Sequence, residues 1–172
     1  RGGIVSDAAI GVENASAVAG QVPLPPYFHG DLPDPDRYQT IFAQRVGSAA
    51  APTAALHFTR RVVEALSARQ VGIATVDLEV GLDTFRPMGD GAVADHVIHT
   101  ERVSVRVDTV DAVARGRAEG GRVVAGGTAV VRSLETAATT NGLIEPYRGD
   151  SDLFITPGYS MRTVDAILTN FH

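Results

Sequence analysis

Stretches in which polar and apolar residues alternate predict β-strands at several places in the chain. The alternation is clearest in residues 72–80 and again in residues 98–107. A period of two places successive side chains on opposite faces of a strand, so each stretch is predicted to have one buried face. Short apolar runs at 122–125, 153–155 and 164–168 are three further candidates.

A helical spacing of apolar residues marks the segments between these strands. Residues 60–69 are the clearest case, because Val62, Val63 and Leu66 are expected to form one inward stripe. Gly120-Gly121 is expected to end a later helix, since glycine adopts the left-handed conformation that follows many helices. The other predicted helices span residues 36–43, about 109–118 and 129–139.

The alternation of strands with helices predicts an α/β fold with mixed, largely parallel strands. The length of 172 residues fits one domain and is sufficient to bury a hydrophobic core. Hydrophobic residues make up 44% and charged residues 20%, which is ordinary for a soluble globular protein. No apolar run approaches the length of a membrane-spanning helix, so we expect no membrane partner.

The types of ionisable residue exclude several kinds of chemistry. The chain has no cysteine, so disulfides, thiolate nucleophiles and cysteine-based zinc sites are excluded, which is consistent with a cytoplasmic protein. All 15 basic residues are arginine, so a lysine Schiff base is excluded as well. The net charge is -5, and any contact with RNA is therefore predicted to use a local arginine patch.

Residues 47–59 contain no charged side chain and are rich in small residues. Pro52 fixes its own backbone, and Thr59 occupies the position of an N-cap before the helix predicted from residue 60. The pattern predicts a tight loop that leads into a helix, with His57 beside the helix start. The structural alternative is a packed connection without a ligand.

Gly126-Gly127-Thr128 follows one predicted strand and begins a helix. Backbone N–H groups at such a helix start can bind an anion or a hydroxyl group. Arg132 and Glu135 lie three positions apart and therefore share one face of that helix. They are candidates for ligand contact, and the structural alternative is a surface ion pair.

Residues 95–101 bring two imidazoles and two carboxylates close together in sequence. His96 and His99 point to opposite faces of a strand, so we favour no metal there. His99 and Glu101 share one face, where the carboxylate can orient the imidazole for proton transfer. The alternative is an edge histidine with a purely structural hydrogen bond.

The stretch Gly47-Ser48-Ala49-Ala50-Ala51-Pro52-Thr53-Ala54-Ala55-Leu56-His57-Phe58-Thr59 resembles a signature of the S-adenosylmethionine:tRNA ribosyltransferase-isomerase family. Seven more segments resemble motifs of that family in the same order, and together they cover roughly residues 21–172. They lie at residues 23–27, 36–40, 80–87, 95–101, 132–135, 154–159 and 169–172.

The resemblance implies the barrel-like α/β main domain of this family, with its inserted β-barrel domain mostly absent. Residues 1–22 are then expected to be a remnant of the inserted domain or a linker. Residues 23–172 are expected to form the catalytic-type domain, and the chain to be a fragment truncated at both ends.

The family activity that the resemblance implies is transfer and isomerisation of the ribosyl group of S-adenosylmethionine. The acceptor is 7-aminomethyl-7-deazaguanine at the wobble position of tRNAs with G-starting anticodons. The products are epoxyqueuosine, adenine and methionine. The partners implied are this tRNA and S-adenosylmethionine, which is a substrate, without a metal and in the cytoplasm.

The matched motifs supply the candidate site residues, and we expect their loops to meet on one rim. His57 is the candidate base, since a helix N-terminus disfavours a positive imidazolium. His99 with Glu101 is the candidate acid or orienting pair, and we expect Glu101→Gln to affect turnover more than folding because the strand end is predicted to be exposed. The arginine patch is expected at Arg60, Arg61 and Arg86. The candidates for substrate contact are Thr53, Thr59, Thr84, Arg86, His96, Thr128, Arg132, Glu135, Tyr159, Asn170 and His172.

Two departures from the family pattern bear most on the site. Glu79 stands where the family has histidine, and Asp83 stands where a glycine is expected. The alternative hypothesis is therefore a diverged paralogue that binds S-adenosylmethionine or a nucleoside without acting on tRNA.

Overall fold

The computed structural model describes residues 24–25, 28–45, 47–48, 50–80 and 101–170. Within these ranges it contains three α-helices, five β-strands and two short 3₁₀ helices. The α-helices are α1 (Arg60–Ser67), α2 (Val107–Ala118) and α3 (Thr128–Ala137). The strands are β1 (Asp77–Glu79), β2 (Glu101–Val105), β3 (Val124–Gly126), β4 (Tyr147–Ser151) and β5 (Ala166–Leu168), and the 3₁₀ helices are Pro35–Tyr38 and Thr53–His57.

The strands form two separate sheets with different pairing. β2 lies in the centre of an antiparallel sheet of order β1-β2-β4. β3 and β5 form a two-stranded parallel sheet, with α3 following β3 directly. Parallel neighbours require a crossover connection, and α3 lies within the segment that joins β3 to β5.

Helix α3 packs against strands of both sheets and thereby joins them. Its buried side chains meet the inward face of β2 and the short β3 strand in one continuous apolar cluster. Burial of these side chains is the main contribution to the stability of the fold. The cluster comprises Val103, Val105, Val123, Ala125, Val131, Leu134, Ala137, Ile144 and Val164.

Two helix ends are formed as the sequence predicts. The Thr59 side chain accepts a hydrogen bond of 3.3 Å from the Val62 N–H at the start of α1. At the end of α2, Gly120 has a φ of 79°, and the Gly121 N–H donates to the Gly116 carbonyl at 2.8 Å. This hydrogen bond, with that from Gly120 to Arg117, forms a Schellman motif and confirms the predicted glycine stop.

The α/β class is confirmed, but the predominance of parallel pairing is wrong for the described strands. Of their three pairings, two are antiparallel and one is parallel. The two sheets also do not close into a barrel within the described ranges. The sequence argument assumed that each helix crosses between parallel strands, whereas β2 pairs with β1 and β4 in the opposite sense.

Several predicted elements are shorter than expected or absent. The helix over residues 36–43 is only the 3₁₀ helix Pro35–Tyr38, because Gln39 is already extended. Only 77–79 of the strand predicted at 72–80 pairs with a neighbour, and residues 153–155 form no strand. The stripe predicted for α1 is not buried, since Val62 is 38% exposed among the described residues.

β4 was not predicted, because its sequence Tyr-Arg-Gly-Asp-Ser has no alternating apolar pattern. It becomes a strand because β2 offers a full set of pairing partners, from Ser151 opposite Glu101 to Tyr147 opposite Val105. The domain boundary between residues 22 and 23 lies outside the described residues and stays a prediction.

Candidate functional site

The carboxyl ends of the two parallel strands lie at the same edge of their sheet. Gly126 of β3 is opposite Leu168 of β5, and the Gly127 N–H donates to the Leu168 carbonyl at 2.9 Å. The chain leaves this edge through Gly127 into α3 and through residues 169–170 beyond β5. Ligands of α/β proteins bind outside the carboxyl ends of parallel strands, so this edge is a candidate site.

The small residues at this edge allow the stretch 53–59 to lie against it. A Cβ atom on Gly127 would be 3.3 Å from the Ala54 Cβ, and one on Gly126 would be 3.4 Å from a ring carbon of Phe58. Gly127 also has a φ of 109°, which other residues rarely adopt. Gly127 is therefore required for the close approach of the two segments, whereas a side chain at Gly126 would meet Phe58 at an ordinary contact distance.

The first turn of α3 presents its backbone N–H groups at the same edge. Its N-cap is Gly127, which has no side chain, and no side-chain cap is formed there in the described part of the chain. Thr128 begins the helix and is exposed. An uncapped helix start can donate hydrogen bonds to a hydroxyl or an anion.

His57 ends the 3₁₀ helix Thr53–His57 and is exposed beside this contact. Ala54 and Phe58, which lie on either side of it in sequence, approach the glycine turn, and Thr59 caps α1. We define the sheet-edge site as residues 53–59, 126–128 and 168–170. The predicted site residues that lie in it are Thr53, His57, Thr59, Thr128 and Asn170.

The beginning of the central stretch is attached to the end of β1. The Ser48 hydroxyl accepts a hydrogen bond of 2.8 Å from the Val80 N–H, and Val80 is buried. This contact was not predicted, because a serine in a small-residue loop gives no signal of its distant partner. It fixes where the chain leaves β1 relative to residues 47–48.

Arg132 is held by groups on the other sheet. Its guanidinium donates to a Glu101 carboxylate oxygen at 2.9 Å and to the carbonyls of Ser151 and Leu153, each at 3.1 Å. The side chains of Arg132 and Glu101 are only 14% and 11% exposed. The pairing is therefore a largely buried bridge between α3 and the β2 and β4 strands, which we name the Arg132 cluster.

The predicted exposure of Glu101 is wrong. Glu101 shares the buried face of β2 with Val103 and Val105, and its partner within the described residues is Arg132. Its predicted partner, His99, lies outside the described residues, so the proposed proton-transfer pair stays a prediction.

Glu135 accepts four hydrogen bonds, and its residue is only 1% exposed. One carboxylate oxygen accepts from the N–H groups of Thr163 and Val164, both at 3.0 Å. The other accepts from the Arg162 N–H at 2.9 Å and from the Tyr159 hydroxyl at 3.1 Å. These five residues form what we call the Glu135 cluster.

Hydrogen bonding determines the charge state within the Glu135 cluster. Burial would raise the pKa of Glu135, but the N–H donors of Thr163, Arg162 and Val164, with the Tyr159 hydroxyl, outweigh it and lower the pKa below its usual range. Burial and the hydrogen bond to Glu135 both raise the pKa of Tyr159. The pair is therefore a carboxylate and a neutral phenol near neutral pH.

The predicted site residues do not meet on one rim, because those on α3 lie at different levels along the helix. Glu135 lies seven residues after Thr128, which is about 10 Å along a helix. Tyr159 contacts Glu135 and also borders an open cavity of about 700 Å³ between residues 140–142 and 158–162. Tyr159 and Glu135 are therefore separated from the sheet-edge site by nearly two helical turns.

The structural alternative of a surface ion pair between Arg132 and Glu135 is wrong, because each side chain has other partners. Arg132 donates to Glu101, and Glu135 accepts from residues 159–164. The sequence carried a signal for the burial of Glu135. Val131, Leu134, Glu135 and Ala138 follow the helical spacing of an inward stripe, and all four are buried.

Five candidate residues lie outside the described residues, and their placement stays a prediction: Thr84, Arg86, His96, His99 and His172. Over the described ranges, no group of three or more histidine, aspartate or glutamate side chains is arranged to hold a metal ion. No helix within those ranges is long and apolar enough to cross a membrane.

A family model described as "Queuosine biosynthesis protein" matches residues 4–172. Proteins named S-adenosylmethionine:tRNA ribosyltransferase-isomerase are similar to the chain over most of its length. The one from Natranaerobius thermophilus is 46% identical over 153 residues, which are 89% of this chain and 45% of that protein. The one from Symbiobacterium thermophilum is 48% identical over 160 residues, which are 93% of this chain and 47% of that protein.

A solved structure also resembles the fold. The crystal structure of S-adenosylmethionine tRNA ribosyltransferase from Thermotoga maritima has a TM-score of 0.53 and 37% identity, covering 69% of this chain and 36% of that one. The chain spans about half the length of the curated relatives it matches. With a family model matched over nearly all of its residues, the chain belongs to the queuosine biosynthesis protein family.

Proposed function

We propose that this chain takes part in transferring and isomerising the ribosyl group of S-adenosylmethionine onto 7-aminomethyl-7-deazaguanine in tRNA. The products are epoxyqueuosine, adenine and methionine. The observation that supports this most is the meeting of three segments at the sheet-edge site, two of which carry motifs of the family. These segments are residues 53–59, the Gly126–Thr128 turn and residues 168–170.

The reaction asks for groups that the sheet-edge site contains. The sulfonium of S-adenosylmethionine acidifies the neighbouring 5′ hydrogens, so an imidazole can serve as the base. His57 is exposed beside the turn and is our candidate for this role. The N–H groups at the start of α3 and the Thr128 hydroxyl are suited to ribose hydroxyls or other oxygen acceptors.

The acid that protonates the departing adenine is proposed to be His99, oriented by a carboxylate. Because Glu101 is paired with Arg132, any orientation of His99 by Glu101 must share that carboxylate with the guanidinium. Histidine and carboxylate can perform both proton transfers, so we propose a reaction without metal. Since the acceptor is tRNA, we propose that the protein acts in the cytoplasm on tRNAs with G-starting anticodons and without a membrane partner.

The proposed tRNA contact lies at the start of α1, next to the sheet-edge site. Arg60 and Arg61 are exposed, and neither has an ion-pair partner among the described residues. The formal net charge of -5 makes general attraction to RNA unfavourable, so binding must depend on such a local patch. We expect Arg60→Gln with Arg61→Gln to weaken tRNA binding and to reduce its salt dependence, because each phosphate contact releases counterions.

Release of adenine tests the proposal directly. The purified protein is incubated with S-adenosylmethionine and tRNA carrying 7-aminomethyl-7-deazaguanine, and adenine, methionine and the modified base are measured by mass spectrometry. We expect all three products. His29→Ala, the control for His57→Ala, changes an exposed histidine outside the family motifs and is expected to retain them. Binding of S-adenosylmethionine without release of adenine would instead support the paralogue hypothesis, to which the replacement of histidine by the exposed Glu79 already points.

A further inference from the structure

The acceptor capacity of Glu135 is fully used within the protein. An ionised carboxylate offers about four lone-pair sites, and four donors occupy those of Glu135. Three of the donors are consecutive backbone N–H groups at residues 162–164. No acceptor site is left for a substrate hydroxyl, which conflicts with the sequence-based assignment of Glu135 to substrate contact.

A second charged residue, on another helix, holds the same segment. Arg117 of α2 donates to the Thr163 carbonyl and lies 3.5 Å from the Asp165 carboxylate. Asp165 in turn accepts from the Val123 N–H at 2.7 Å, immediately before β3. The N–H groups of the segment thus meet a carboxylate on α3, while its carbonyl meets a guanidinium on α2.

The segment held in this way leads directly into β5. The Asp165 and Ala166 N–H groups donate to the Val123 carbonyl, which starts the parallel pairing with β3. At the other end of β5, the Leu168 carbonyl accepts from the Gly127 N–H. The β5 segment is therefore attached to the α3 region at two levels, by Glu135 and by Gly127.

We propose that Glu135 is a positioning residue that fixes residues 162–164 on α3 and so sets the register in which β5 reaches the sheet-edge site. It acts through Leu168 and Gly127 and has no contact with substrate. The effect on ligand binding rests on the proposed function, whereas the effect on register does not.

Substitution by glutamine tests this geometry with little change in shape. The amide has one oxygen and one nitrogen donor, so it cannot accept from both pairs of N–H and O–H groups. Its NH₂ group would oppose either the Arg162 N–H or those of Thr163 and Val164. Glu145→Gln makes the same chemical change at an exposed glutamate whose side chain forms no hydrogen bond within the described residues, and is the matched control.

Amide hydrogen exchange without ligand measures the register. In Glu135→Gln we expect exchange at residues 162–164 and at the Gly127 N–H to become roughly tenfold faster or more, as loss of a buried hydrogen bond requires. Glu145→Gln is expected to exchange like the unaltered protein. Unchanged exchange at Gly127 in Glu135→Gln would overturn the proposed link to the sheet-edge site.

A second measurement does not depend on folding of the variant. In the unaltered protein, the N–H groups of residues 162–164 lie outside regular secondary structure but are expected to be as protected as those of β5. Exchange at the rate of an exposed loop would overturn the proposal. Both exchange measurements are made without ligand. Failure of the chain to bind S-adenosylmethionine would therefore contradict the proposed function and leave the positioning role of Glu135 standing.

The kinetic readout separates positioning from general destabilisation. We expect Glu135→Gln to raise the KM for S-adenosylmethionine roughly tenfold, with the KM for tRNA unchanged. Val103→Ala destabilises the core on β2 and is expected to leave both KM values unchanged below its melting temperature. A raised KM in Glu135→Gln with exchange unchanged at residues 162–164 and Gly127 would identify Glu135 as a direct ligand and overturn the positioning role.

Discussion

The sheet-edge site and the Glu135 cluster lie at two levels of the same helix, yet their polar groups are used in opposite ways. At the sheet edge, the first turn of α3 is uncapped by side chains, and His57 and Thr128 are exposed. In the Glu135 cluster, every lone-pair site of the carboxylate is occupied by the protein. The donors at the sheet edge are available to a ligand, whereas the Glu135 carboxylate has no free acceptor site and can only stabilise the fold.

The difference shows that motif residues of one family need not share one role. Thr128, Arg132 and Glu135 follow one another along α3, but they meet solvent, a strand carboxylate and a backbone segment respectively. A helix with its N-terminus at a ligand edge needs attachments farther along to hold that end in place. We therefore propose that the first turn binds ligand and that the second and third turns attach the helix to the rest of the fold.

The largest effect is expected at the sheet-edge site. His57→Ala should reduce ribosyl transfer by about 100-fold or more, the range expected for loss of a general base. The free energy of unfolding should change by less than about 0.5 kcal/mol, because an exposed side chain contributes little to stability. Adenine release and urea denaturation check the two halves of this prediction.

His29→Ala is the control for the loss of an exposed imidazole elsewhere. Near-normal adenine release by His57→Ala together with a lowered melting temperature would mean that His57 is structural. Residues 47–59 would then be a packed connection without a ligand, which is the structural alternative given for this stretch.

The next largest effect is expected for the Arg132 cluster, and it is an effect on the free energy of unfolding. Arg132→Met leaves the Glu101 carboxylate largely buried without its guanidinium partner, which should cost about 3 kcal/mol. Arg102→Met is the matched control, since its pair with Asp150 is 3.4 Å long and both side chains are about 60% exposed. Exposed pairs contribute less than about 1 kcal/mol, so equal losses in the two variants by urea denaturation would refute the assignment.

The sequence predicted helix ends well, because they depend on short-range rules. The Thr59 cap and the glycine stop of α2 follow from side-chain chemistry within a few residues. Burial could also have been inferred, since Glu101 alternates with Val103 and Val105 and Glu135 falls on the apolar stripe of α3. In both cases the charge predicts exposure, whereas the period of the apolar residues indicates the core.

The partners across the fold could not be inferred in this way. Contact between Gly127 and Ala54, or between Arg132 and Glu101, joins segments that only the assembled sheets bring together. β4 shows the same limit, because its polar sequence becomes a strand only when β2 is present to pair with it. Family motifs predict which residues belong to a site, but they do not predict which of these residues touch one another.

Gly127→Ala should have a smaller effect that reaches both stability and activity. Its φ of 109° is strained for alanine, and the new Cβ would be 3.3 Å from the Ala54 Cβ. We expect a loss of about 1 to 2 kcal/mol in the free energy of unfolding and slower adenine release. Gly72→Ala is the control, because nothing lies within 4 Å of its added Cβ, and an equal loss there would show that the close approach is unimportant.

The smallest effect is expected from acidification of the Glu135 cluster. The folded-state pKa of Glu135 is lowered from 4.5, so its carboxylate stabilises the folded protein above the unfolded-state value, and this contribution is lost as the pH falls through the folded-state pKa. Glu135→Gln has no carboxylate at this position, so it has no such contribution to lose on acidification. The difference in unfolding free energy between the unaltered protein and this variant should therefore stay constant near pH 7 and narrow as the pH falls below about 4.5. Urea denaturation over this pH range measures the difference, with Glu145→Gln as the control, because Glu145 is exposed and this variant retains the buried Glu135 carboxylate. A difference that widens on acidification would mean that the four donors do not stabilise the ionised form, and the contrast with the sheet-edge site would fail.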